Sequence, residues 1–202
     1  MIFFCAIFAL AKFGAEGNAG SNRMADSYIA AIGATPAATC AAAAFSNPAA
    51  ITINDNAVGS PYPSNITVGG LPGSVARVTV DITGVSHTWP DDVDILIVGP
   101  NGQSSLLMSD AGGRADIINR TITFDDKAEE TLPDETRLVS GTFKPTNFDT
   151  DTDVFPPPAP APEATASLSI FNGTNPNGPW SLYVRDDVAS DFGRIDGGWT
   201  MQ

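Results

Sequence analysis

The sequence predicts an all-β fold, an antiparallel β-sandwich behind a mostly non-β N-terminal extension. Three observations carry this. From Ile51 onward apolar and polar residues alternate with a period of two, the period of a strand with one buried face. Charged residues make up only 16% of the chain, while 19 Gly and 16 Pro provide turn material. The alternating runs are short and separated by turn residues, about eight to ten of them, as in a sandwich.

The elements follow in order. Residues 14 to 22 are rich in Gly, Ala and Asn and read as a flexible linker. Met24 to Ile32 has the length for two helical turns with Ala-rich packing. Gly33 to Pro48 reads as an extended connector. Strands are expected at Ile51–Ile53, Asn65–Val68, Val75–Ile82, Asp94–Val98, Ser105–Met108, Ile117–Phe124, Leu138–Phe143, Ala166–Phe171, Trp180–Arg185 and Arg194–Met201. In the third of these, Val75, Arg77, Thr79 and Asp81 alternate with Ala76, Val78, Val80 and Ile82, which implies antiparallel neighbours and one wet face.

The stretch Ser86-His87-Thr88-Trp89-Pro90-Asp91-Asp92-Val93-Asp94-Ile95-Leu96-Ile97-Val98 joins a polar turn with three carboxylates to a β-branched strand. It stops at the turn Gly99-Pro100-Asn101-Gly102. Further pieces follow: Ser105 to Gly113, Ile122 to Asp126, Ser140 to Asn147, Phe171 to Val184 with its Gly-Pro-Trp-Ser-Leu strand, and Gly193 to Met201. As an ordered set they resemble the P domain (Homo B domain) of subtilisin-like proprotein convertases, in its bacterial free-standing branch. The resemblance covers residues 49 to 202 and implies a jelly-roll sandwich with cation sites. It divides the chain into an apolar segment and linker over 1–48 and a P-domain-like region over 49–202. The 48 residues ahead of that region leave no room for the convertase catalytic domain, so the family's protease activity is not expected here.

Net charge is −13 and the pI about 4.1. Nucleic acid is not an expected partner, because phosphate binding needs clustered Lys and Arg. An acidic surface suits divalent cations and also keeps an extracellular protein soluble. Cys5 and Cys40 lie outside the P-like region; they can pair with each other, pair between chains or stay free. With one His and two distant Cys, zinc is not expected.

The segment Met1 to Leu10 is almost wholly apolar and too short to span a bilayer, so no integral membrane span is expected. Ala9-Leu10-Ala11 fits a signal-peptide cleavage site, although no Lys or Arg precedes the apolar run. A retained assembly segment, a signal peptide and a short anchor are the three readings.

Asp92 and Asp94 stand two apart and share a strand face. With Asp91 they begin one strand, Asp110 ends the next, Asp125 and Asp126 end another, and Asp186 and Asp187 follow Trp180–Arg185. Four acidic strand ends converging at one edge would suit Ca2+, a hard cation taking six to eight oxygens. Asp at turns also caps backbone amides, the plainer reading. Asp149, Asp151 and Asp153 copy the first, third and fifth ligands of a calcium loop without its later Gly and Glu, a weaker second site.

His87 has no matched nucleophile, no oxyanion motif and a neighbour, Ser86, that points the other way on a strand. It is expected to be structural, bonding across the turn, and the chain is not expected to be an enzyme. Trp180 and Trp199 are expected in the core and Trp89 at the surface. Phe155 to Pro162 favours polyproline II and reads as a stiff surface loop or a docking ribbon. The triplets at Asn65, Asn119 and Asn172 fit the glycosylation pattern and count only in a source that glycosylates.

These features suggest a secreted, extracellular or cell-surface, calcium-stabilised structural module. Residues 1–13 would link it to copies of itself in a filament or surface layer. The alternatives are an accessory domain of a separate secreted protease and an adhesion module that binds glycan.

Overall fold

In the computed structural model, which describes residues 2–5, 42–148, 153–162 and 166–202, the period-two stretches form two facing sheets. The strands run β1 (Ile2–Cys5), β2 (Ala42–Ala43), β3 (Phe45–Asn47), β4 (Ile51–Ile53), β5 (Ser64–Val68), β6 (Ser74–Val75) and β7 (Val80–His87). After a 3-10 turn at Pro90–Asp92 come β8 (Val93–Val98), β9 (Ser104–Ser109), β10 (Ile117–Phe124), β11 (Gly141–Phe143) and β12 (Thr146–Asn147). A second 3-10 turn, Leu168–Phe171, precedes β13 (Gly178–Asp186), β14 (Gly193–Ile195) and β15 (Trp199–Met201).

One sheet has the order β11-β10-β7-β14-β4, with β15 beside β7 and β3 beside β15. The other is β12-β9-β8-β13-β5. The chain passes repeatedly from one sheet to the other, the jelly-roll type of path. Most pairs are antiparallel; β10–β11 and β12–β9 are parallel. Val80 and Ile82 of the first sheet and Ile95 and Ile97 of the second share one core with Trp180, Trp199, Phe124 and Phe171. The Trp180 indole N–H donates to Pro176 O at 2.9 Å, and the Trp199 indole N–H to Ser64 Oγ at 3.0 Å, so neither buried ring leaves a donor unpaired. Trp89 is 38% exposed.

The expected strand Val75–Ile82 is broken. Only Ser74–Val75 and the run from Val80 belong to strands: Ser74–Val75 pairs with β1, whereas the run from Val80 pairs with β15, a register that Thr79 extends by donating to Gln202 O at 2.9 Å. In place of the expected strand Ala166–Phe171 the chain makes the 3-10 turn Leu168–Phe171. Leu168 and Phe171, three apart, are its buried residues, the spacing that brings side chains together in a 3-10 turn. Asp126 fixes it, accepting from Leu168 N–H at 2.9 Å and Ser169 N–H at 2.7 Å. The last stretch divides into β14 and β15 around Asp196-Gly197-Gly198, where Gly198 takes φ +64°.

The second sheet has no wet central strand: every residue of β8 and β9 is buried. Its outer face carries Leu96, Val98, Leu106 and Tyr183, and the Pro-rich segment 153–162 lies over them with Phe155 as the buried plug. This strap is held by backbone acceptors. Tyr62 Oη donates to Pro156 O at 3.0 Å, Tyr183 Oη to Pro158 O at 3.4 Å and Arg185 Nη1 to Val154 O at 2.5 Å. Tyr62 and Tyr183 meet edge to face at 4.9 Å. The prolines leave few backbone donors to satisfy, which suits a cover over an apolar face, and the segment turns at Pro156–Ala159, where Ala159 N–H donates to Pro156 O at 3.2 Å.

Backbone pairing also reaches the N-terminus: β1 lies antiparallel between β2 and β6, with Ile2 opposite Ala43 and Phe4 opposite Val75. The linker, the helix expected at Met24 to Ile32 and Cys40 lie outside the described residues. Among the described residues no helix is long and apolar enough to cross a membrane.

Candidate metal centre

The acidic strand ends meet around Ser109, the last residue of β9. Asp94, the second residue of β8, has its side chain on the outer face of the sheet, where the strap ends. Ser109 Oγ lies 2.8 Å from Asp94 Oδ1, 2.9 Å from Asp110 Oδ2 and 2.6 Å from Asp153 Oδ1. Asp110 sits at φ +50°, a left-handed turn that Asp tolerates better than most residues. Asp153 arrives from the strap, and its other oxygen accepts from Asn147 Nδ2 at 2.9 Å. Asn147 in turn lies opposite Ser109 in the β12–β9 pair.

A hydroxyl has one proton to give. Three carboxylate oxygens stand within hydrogen-bond distance of this one, so at most one contact is a bond donated by Ser109. The other two need a further proton or a cation. Asp94 is 2% exposed, and its Oδ2 is buried without a hydrogen-bond partner. Asn147 Oδ1 is likewise buried and unpartnered. Burial pushes the Asp94 carboxyl up to about 8; the Ser109 bond opposes the rise, and the charges of Asp187, Asp153 and Asp110 add to it.

A second group lies alongside. Asp92 ends the 3-10 turn rather than standing in the strand with Asp94. It is buried, and its carboxyl is pushed up to about 7, first by burial and then by Asp186, Asp191, Asp187 and Asp91. Asp187 raises both Asp92 and Asp94, and its N–H donates to Asp92 O at 3.1 Å. Asp91 Oδ1 accepts from Gly113 N–H at 3.3 Å. Asp186 is held by His87 Nε2 at 3.1 Å and by the amides of Asn56 and Val188, both at 3.2 Å. Burial raises its carboxyl, with those amides and His87 opposing.

The structure thus gathers Asp91, Asp92, Asp94, Asp110, Asp186 and Asp187 at one end of the sandwich and adds Asp153. Two of the residues expected there stand apart. Asp125 pairs with Arg77; burial would raise its carboxyl, but the Arg77 hydrogen bond and the Lys127 amide outweigh it and hold it below its ordinary value. Asp126 caps the second 3-10 turn. Asp149 and Asp151 lie outside the described residues. Sequence reasoning placed Asp153 in a separate loop and missed Ser109 and Asn147 altogether.

Among the described residues no group of three or more His, Cys, Asp or Glu side chains is arranged to hold a metal ion as it stands; the carboxylates close on a hydroxyl instead. The donors are nonetheless all oxygen, and two of them, on Asp94 and Asn147, are buried without partners, so the chemistry fits a hard cation.

His87 and Asp186 have no exposed side-chain surface. His87 Nδ1 meets the backbone of Trp89 across the turn, 2.8 Å from its O and 3.1 Å from its N. The imidazole therefore bridges β7, the following turn and the end of β13.

No protein-family model matches the chain, and no curated protein matches it.

Proposed function

We propose that this chain is a non-catalytic, calcium-stabilised β-sandwich module of a secreted or cell-surface protein, of the P-domain-like type, working as a structural unit. The observation that carries the reading is the single Ser109 hydroxyl shared by Asp94, Asp110 and Asp153. Ca2+ would supply the positive charge that one proton cannot. Asp94, Asp110, Asp153 and Asp187 are its carboxylate ligands, with Asn147 Oδ1 as a neutral oxygen. The ion joins the ends of β8 and β9, the start of the strap and the loop after β13. The sealed His87–Asp186 pair supports a structural imidazole, because a general base must reach its substrate.

Calorimetric titration with Ca2+ and thermal melting test this. A ligand that binds only the folded state raises the melting temperature by mass action. Binding with a raised melting temperature in the intact protein, both lost in Asp94→Ala, is the expected result. Identical melting in calcium and in chelator would remove the reading.

Assembly through residues 1–13 is supported by the β pairing of Ile2–Cys5, which engages two residue pairs on each side. Strand pairing is made by backbone groups that any copy of the chain can supply. If the first strand of one molecule takes this place in the next, the contact is head to tail and grows fibres. Light scattering of the full chain against a chain lacking residues 1–13 decides it: large particles are expected for the first and a folded monomer for the second. A full-length monomer would leave the accessory-domain reading ahead.

A further inference from the structure

We infer that the cation is a clasp: through Asp153 it fastens the Pro-rich strap 153–162 over the outer face of the second sheet, and its removal lifts the strap from that face. The inference rests on the calcium reading above.

The strap begins at the acidic cluster. Asp153 is its first described residue, and its carboxylate lies at 2.6 Å from the hydroxyl that Asp94 and Asp110 also approach. From there Val154 is exposed, Phe155 is buried, and the segment runs over Leu96, Val98, Leu106 and Tyr183. Past Asp153, every polar anchor named along it ends on strap backbone oxygen: Tyr62 on Pro156, Tyr183 on Pro158, Arg185 on Val154 and Ser104 on Ala161. The Asp153 carboxylate is the strap's charged attachment to the sandwich.

Without the ion that attachment changes sign. Asp153 then adds a negative charge beside Asp94, Asp110 and Asp187, where like charges repel. The remaining hold is Phe155, the Asn147 and Ser109 contacts to the Asp153 carboxylate and the four backbone acceptors. With the ion, the same carboxylates attract one centre. The sandwich core does not depend on the strap, because its cluster of buried side chains is separate from the one under Phe155. The ion therefore controls access to an apolar face while the two sheets stay formed.

Hydrogen exchange over residues 153–162 and binding of an apolar fluorescent dye, each with calcium and with chelator, test this on the full chain. Calcium binding is measured by titration in parallel. In the wild type, chelation should speed exchange in the strap at least tenfold and create dye binding, while the exchange of β7 and β13 stays slow. Asp153→Asn should bind dye even at saturating calcium and still show a calorimetric calcium signal, weakened, from Asp94, Asp110 and Asp187. If calcium binds the wild type and strap exchange is the same with and without it, the clasp is wrong and the calcium module stands. If no calcium binds, both fall.

Discussion

Asp153 meets Asp94 over a single hydroxyl, at 2.6 Å and 2.8 Å from Ser109 Oγ. One carboxylate belongs to a β strand and the other to a Pro-rich strap, so the contact fixes where a loop lands on a sheet. It also sets an electrostatic problem: the proton on Ser109 and one on Asp94, whose carboxyl is pushed up to about 8, satisfy at most two of the three contacts at that hydroxyl. The buried, unpartnered Oδ2 of Asp94 is the same problem seen from the other oxygen.

Replacing Asp94 with Asn should therefore separate two effects. The amide keeps the shape and removes the capacity to ionise, and a buried charge is costly unless it is paired. Melting in chelator should hold or rise relative to wild type, while most of the calcium-induced increment disappears. Differential scanning calorimetry of both proteins, with and without calcium, reads this directly. A full calcium increment in Asp94→Asn would move the ion elsewhere.

Phe155→Ala should cost about 3 kcal/mol, the lower part of the range for truncating a buried Phe. Phe155 is 6% exposed and fills the space over Leu96, Val98, Leu106 and Tyr183. Urea unfolding measures the loss. A change below about 0.5 kcal/mol, the range of an ordinary surface substitution, would mean that the strap does not cover the sheet in solution.

Much of the fold was legible because strand periodicity is local. Ile51–Ile53, Val80 to Ile82 and Trp180 to Arg185 read correctly from apolar alternation and turn residues. The failures were tertiary. Ala166–Phe171 has a strand's composition, but its Leu168–Phe171 part becomes a 3-10 turn that Asp126, distant in sequence, caps. The wholly buried β8 looked one-sided, since nothing near it in sequence announces that residues 153–162 will cover its second face. The site divides the same way. Asp94 and Asp110 were readable as acids at strand ends, whereas Asp125 and Asp126 look identical in sequence and went to Arg77 and to a turn. Ser109 and Asn147 carry no charge pattern, and only their position across the β12–β9 pair shows their part.

Gly193→Ala should destabilise by about 1–3 kcal/mol, the usual cost of overpacking. Gly193 lies opposite His87 in the β14–β7 pair. A Cβ there would run into Ser86 O and the His87 ring, neither of which has room to move. Gly69 is the control, since nothing lies within 4 Å of a Cβ at that position, and Gly69→Ala should stay within about 0.5 kcal/mol of wild type. Denaturant midpoints of the two variants make the comparison; equal midpoints would mean that the seal over His87 is loose.

The calcium-free protein should lose stability as pH rises from about 5 to 8. Burial lifts the Asp94 carboxyl to about 8 and the Asp92 carboxyl to about 7, while both titrate near 3.9 in an unfolded chain. The folded state thus holds these protons more tightly than the unfolded state. Their contribution is full below about 4 and fades as pH climbs through the folded values. Asp125 has the opposite sign, because its carboxyl is held low by Arg77; its contribution is lost only in acid, below the window of interest. Calcium competes with the same protons, since its ligands must be ionised. The difference in melting temperature between calcium-loaded and calcium-free protein should therefore be small at pH 5 and grow steadily to pH 8. Calorimetry at pH 5, 6.5 and 8 in both conditions provides the curve. A calcium-free melting temperature that rises across this range would show that Asp92 and Asp94 are ionised and satisfied without an ion.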